Sequence, residues 1–128
     1  MGISKKKGAV FFYCNANPKI GTGHFWRSYR IANELKKTGT KVYFLFGDIS
    51  EKLTDTLEGK AIEFKKVLSS RSKVLISTIK TFQESRTMLV IDSDDTKFYS
   101  EEFQNDIKGS GIKLMLITIN PNFYYLPD

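Results

Sequence analysis

Four stretches of this chain are apolar at nearly every position over the length of a strand, and that continuity constrains the fold more than any other feature. Val10, Phe11, Phe12, Tyr13 and Cys14 form the first, residues 42–46 the second, Met88 to Ile91 the third and residues 112–119 the fourth. A strand with one solvated face alternates apolar and polar side chains, whereas a strand covered on both faces reads as an unbroken apolar run. Each run stops in turn chemistry: Asn15 to Pro18, Gly47-Asp48, Asp92 to Asp95, and Asn120-Pro121.

Between the runs the period changes. In residues 24–37 the side chains Phe25, Tyr29, Ala32 and Leu35, with Ile31 beside them, recur at spacings of three and four and predict a helix with one core-facing stripe, closed by Gly39. Residues 50–57, 70–85 and 99–108 read as three further helices, and residues 60–67 as a less apolar strand with Ile62 and Phe64 on one face. Five strands alternating with four helical segments imply right-handed crossovers, and so a Rossmann-like three-layer α/β domain around a parallel sheet. The strand order is expected to reverse beside residues 8–15. At 128 residues the chain is the size of one domain, and no internal repeat or linker divides it.

Composition removes several classes of function. Hydrophobic residues at 41% and charged ones at 27% sit at the globular norm and argue against disorder, save for a basic tail at residues 1–7 containing Lys5, Lys6 and Lys7. Cys14 is the sole cysteine, so no internal disulfide can form; its apolar neighbours read as a buried thiol in a reducing compartment, and a cytoplasmic location is expected. No apolar run approaches the roughly 20 residues that span a bilayer, and the stretch after Lys7 is too short for a signal peptide. With one histidine and one cysteine there is no metal cluster to build, and no cofactor is expected. The net charge of +6 attracts anions, yet Lys36, Lys37 and Lys41 fall around a helix end, where the dipole favours cations. Nucleic-acid binding would need basic residues interleaved with aromatics on one face, and the only stretch of that kind, residues 24–30, has another explanation.

In an open parallel sheet ligands gather beyond the C-terminal ends of the strands, so the loop after Asn15 is the first place to look for chemistry. Gly21 and Gly23 carry no side chain and let the amides of a helix start approach a phosphate. Two glycines that merely make the turn are the competing reading. His24 stands in the first turn of that helix, where the positive end of the dipole disfavours an imidazolium and keeps a neutral ring able to accept a proton. A histidine packed on the helix start or on Trp26 is the alternative. Arg27 lies one turn further on, and its guanidinium fork has the shape to hold a pyrophosphate; Arg30 is placed instead to pair with Glu34 four residues later. A dinucleotide fingerprint fails here, because its third small residue would fall at Trp26 and the loop of residues 16–20 is longer than that tight turn allows.

The run Ile20, Gly21, Thr22, Gly23, His24 with Arg27, Ala32 and Leu35, then Gly39 and the strand around Val42 to Phe44, resembles the N-terminal domain of the pseudaminic acid pathway UDP-sugar hydrolases and the related spore coat polysaccharide biosynthesis proteins. Leu89, Val90, Ile91 and Asp92, a helix, the glycine-rich break at residues 109–111 and the strand leading to Asn120 resemble that family's later segment in order and spacing. The resemblance implies one half of a glycosyltransferase B architecture, working in surface-polysaccharide or nonulosonic acid biosynthesis. It implies that His24 is the general base activating the water that cleaves the sugar to nucleotide bond of a UDP-sugar. Gly21, Thr22 and Gly23 would form the approach loop, and Arg27, Asn15 and Asp92 would complete the substrate-binding set. Tyr13 and Asn15 stand where the family has an arginine and an aspartate, and Asp94 where it favours a tyrosine. The family's second domain would follow Asp128, so the chain is expected to offer one wall of a cleft and to need a matching domain, a partner chain or a second copy as the other. A non-catalytic half-domain that binds a nucleotide-sugar or a partner is the competing function. Residues 121–127, with Phe123, Tyr124, Tyr125 and Leu126, carry a density of apolar surface that is expected to meet such a partner and drive self-association.

Overall fold

The computed structural model describes residues 8–15, 22–93 and 95–117; the basic tail expected at residues 1–7 and the aromatic segment after Ile119 lie outside them. Within them the chain runs β1 (Ala9–Tyr13), α1 (Gly23–Lys37), β2 (Lys41–Phe46), α2 (Glu51–Gly59), β3 (Glu63–Lys66), α3 (Ser72–Thr81), β4 (Thr87–Asp92), a 3-10 turn (Thr96–Tyr99), α4 (Glu101–Gly109) and β5 (Lys113–Ile117). All five strands are parallel in the order β3-β2-β1-β4-β5. The expected α/β architecture with a reversal beside β1 is therefore present.

The unbroken apolar runs have the cause the sequence suggests, because alternate residues of each strand enter two separate cores. Phe12, Phe44 and Val90 pack with Phe25 and Ala32 of α1 and with Leu53 and Leu57 of α2. Their neighbours Phe11, Tyr43, Leu89 and Ile91 pack on the opposite face with Leu75 and Ile79 of α3 and Phe103 and Ile107 of α4. Aromatic rings stack across adjacent strands within each layer, Phe11 on Tyr43 at 4.7 Å and Phe12 on Phe44 at 5.3 Å.

Element ends are set by local hydrogen bonds. Gly39 takes a left-handed φ of 88° after α1, and the amides of Gly39 and Thr40 return to the carbonyls of Lys36 and Leu35, which satisfies the last turn. Ala61 adopts the same geometry after α2 at φ 55°, without glycine's freedom. Three expected elements are shorter than the sequence suggests. The helix expected at residues 70–85 ends at Thr81, where Gln83 turns left-handed. The segment expected as one helix from residue 99 is split, because the Ser100 hydroxyl accepts from the Phe103 amide and starts α4 afresh after the 3-10 turn. The strand expected at residues 60–67 narrows to the four residues of the edge strand β3, which has exposed Glu63 and Lys65. No helix among the described residues is long and apolar enough to cross a membrane.

Candidate functional site at the strand-order reversal

From β1 the chain proceeds to β2 and β3 on one side, while β4 lies against the other side of β1 and leads outward to β5. The connections leaving the C-terminal ends of β1 and β4 thus diverge and open a crevice. Three side chains meet at that crevice. Asp92, the last residue of β4, has a side chain with no exposed surface, and it faces the first two turns of α1, which supply His24 and Arg27. Nδ1 of His24 lies 2.6 Å from Asp92 Oδ1, while Nε and Nη2 of Arg27 donate to Oδ2 and Oδ1 at 2.5 and 2.6 Å.

This geometry fixes a tautomer. An ionised carboxylate only accepts hydrogen bonds, so the proton of the neutral imidazole sits on Nδ1 and points at Asp92. The Arg27 Nη2, 3.4 Å from the same Nδ1, faces one donor with another and makes no bond to it. In the neutral ring the lone pair is then on Nε2. The His24 side chain is 29% exposed and lines the crevice.

Around His24 and Asp92 the crevice is a polar cleft of about 260 Å3, completed by Tyr13, Cys14, Asn15, Ser93, Asp95, Lys97 and Phe98. Its floor is chemically quiet. Burial pushes the Cys14 thiol up to about 12, with the Asp92 charge adding to the effect, so the cysteine is a neutral core group. Burial also raises Tyr13, against an opposing hydrogen bond from Asn15. Asn15 works as a brace: Oδ1 accepts from the amides of Gly47 and Asp48 at 2.7 and 3.0 Å, and Nδ2 donates to the Tyr13 hydroxyl at 3.2 Å. It thereby ties the end of β1 to the end of β2.

The candidate residues accordingly divide. His24, Asp92 and Arg27 converge, although Arg27 presents its fork to Asp92 and Asp92 presents both oxygens to protein groups. Asn15 lines the cleft but holds backbone. Thr22 caps α1 through its carbonyl, which accepts from the Trp26 amide, and among the described residues a methyl group built on Gly23 would meet nothing within 4 Å. Gly21 and Asp94 lie outside the described residues. Arg30 is exposed, and Glu34 pairs with Lys37 rather than with it. The sequence reading missed Lys97, which reaches Asp95 at 3.4 Å on the far wall; the run of acids after β4 was the available signal for that loop.

No family model matches the chain, and no curated protein matches it.

Proposed function

We propose that this chain is a nucleotide-sugar hydrolase-like domain of half a glycosyltransferase B architecture, in which His24 is the general base. The observation that carries the reading is the hydrogen bond from His24 Nδ1 to buried Asp92, which leaves Nε2 as the basic atom at the crevice. In the proposed step Nε2 takes a proton from water as the water oxygen bonds to the anomeric carbon of a UDP-sugar. The bond from that carbon to the diphosphate oxygen breaks, and UDP departs with the electron pair. Asp92 then faces an imidazolium, and the attraction between them favours the transition state over the resting enzyme. Arg27 is a positioning residue, since its fork fixes the carboxylate that orients the ring. The start of α1 at Thr22 and Gly23, where backbone amides face outward along the helix axis, is the surface for the diphosphate.

Catalysis of this kind requires a substrate held within hydrogen-bond reach of the base, and the resemblance assigns the opposing wall to a second domain or partner chain. The test is hydrolysis of a UDP-sugar by the whole gene product in oxygen-18 water. Label in the released sugar, lost in His24→Ala, supports the reading. Label in the nucleotide, or no hydrolysis by the whole gene product, counts against it.

One observation favours a binding-only alternative. Both oxygens of Asp92 are engaged by α1, so the same three residues also serve to fasten that helix to the sheet. On that alternative the crevice binds a nucleotide-sugar without turnover, and His24→Ala changes stability alone.

A further inference from the structure

The crevice that holds His24 has a second charged pair, on the loop that follows β4. Asp95 and Lys97 both line it, and Oδ2 of Asp95 lies 3.4 Å from Nζ of Lys97. Their side chains are 48% and 55% exposed, and an ion pair so open to water is worth little to the fold. The backbone that carries them is nevertheless fixed. The Asp95 amide donates to the Ser93 hydroxyl at 3.0 Å, the Lys97 amide donates to Asp95 Oδ1 at 3.1 Å, and the Tyr99 hydroxyl donates to the Ser93 carbonyl at 3.3 Å. The Lys97 ammonium also lies 5.3 Å from the centre of the buried Phe98 ring, whose face attracts a cation.

We propose that Asp95 and Lys97 select the sugar: together they hold two neighbouring hydroxyls of an uncharged sugar ring, Asp95 accepting from one and Lys97 donating to the other. This rests on His24 facing the anomeric carbon of a nucleotide-sugar. At about 260 Å3 the cleft lies below the roughly 300–1,000 Å3 that take drug-sized ligands, so it suits one sugar ring rather than a whole nucleotide-sugar. The donor and acceptor count fits as well. An ionised carboxylate keeps acceptor sites beyond the one given to the Lys97 amide, and an ammonium has three donors, of which Asp95 engages one. Asp95 follows Asp92 by three residues, so their Cα atoms are at most about 11 Å apart, a distance that a sugar ring and its hydrogen bonds bridge. Charge decides the kind of sugar. Among the described residues Arg27 balances Asp92 and Lys97 balances Asp95, which leaves no surplus cation for a sugar carboxylate and sets Asp95 against it.

Calorimetry on the whole gene product reads this directly. UDP, UDP-glucose, UDP-galactose, UDP-N-acetylglucosamine and UDP-glucuronate are titrated into the parent protein and into Asp95→Asn and Lys97→Met, which keep side-chain size at exposed positions. At least one uncharged sugar should bind tenfold or more tighter than both UDP and UDP-glucuronate. Each variant should lose at least fivefold of that affinity while the Kd for UDP stays within twofold. Uncharged sugars no tighter than UDP-glucuronate, unchanged affinity in either variant, or UDP weakened in step with the sugar would overturn the proposal. Hydrolysis followed in the same samples separates this pair from the general base. Sugar affinity lost in the variants, with no hydrolysis by the parent protein, retains the pair and removes the base; hydrolysis that neither variant alters retains the base and removes the pair.

Discussion

His24 and Asp92 are 68 residues apart in sequence, yet their side chains meet at 2.6 Å across the gap between α1 and β4. The contact requires the sheet order to reverse at β1, because only then does the end of β4 lie beneath the first turn of α1. Fold and site are thus one arrangement.

Arg27→Ala and Asp92→Asn should differ in stability. The first removes two of the three contacts to a fully buried carboxylate and leaves it only the one from His24, while the second removes the charge that Arg27 neutralises. Loss of such a partner costs about 3–5 kcal/mol when both groups are buried; Arg27 is 42% exposed, so screening reduces the expected loss to about 2 kcal/mol. Urea denaturation should show Arg27→Ala to be the less stable of the two.

Gly23→Ala separates ligand approach from folding. The new methyl group meets no atom of the described residues within 4 Å, so the melting temperature should hold or rise slightly. If a diphosphate lies against the amides there, affinity for UDP should fall tenfold or more, which calorimetry would detect.

The left-handed residue after α2 gives a prediction about the fold alone. Ala61→Gly should stabilise by about 1 kcal/mol, because glycine adopts a φ of 55° without a Cβ clash. Gly39→Ala, at φ 88° after α1, should destabilise by a similar amount.

Cys14 predicts an alkaline effect. An unfolded thiol ionises near pH 8.5, whereas burial pushes this one up to about 12. The neutral folded thiol therefore contributes stability that is complete below about pH 8.5 and declines as pH rises toward the folded value, by up to about 1.4 kcal/mol per unit. Cys14→Ala lacks that decline, so the stability gap between the two proteins should narrow from pH 8.5 to 10. A maleimide should leave native Cys14 unmodified at pH 7.

The layered fold is legible in the sequence because burial on both faces writes itself into consecutive residues: Phe11 and Phe12 are neighbours in the chain and belong to different cores. His24 is legible too, as a lone histidine after glycines at a helix start. The pairing of Arg27 with Asp92 is not, since it joins residues 65 apart and depends on which strand lies beside β1. The brace formed by Asn15 is hidden for the same reason, as its partners are backbone amides at the end of a different strand. Short-range breaks such as Ser100 leave a visible cap residue, but Tyr99 and Phe103, four residues apart, mask it by reading as one face of a continuous helix.

The most direct measurement of the central claim is the effect of His24→Ala on turnover and on affinity, made together on the whole gene product with a UDP-sugar and UDP. If His24 is the base, UDP release falls by at least a hundredfold while the Kd for UDP stays within a few fold of the parent protein. Undiminished UDP release, or an affinity lost in step with it, would contradict the assignment.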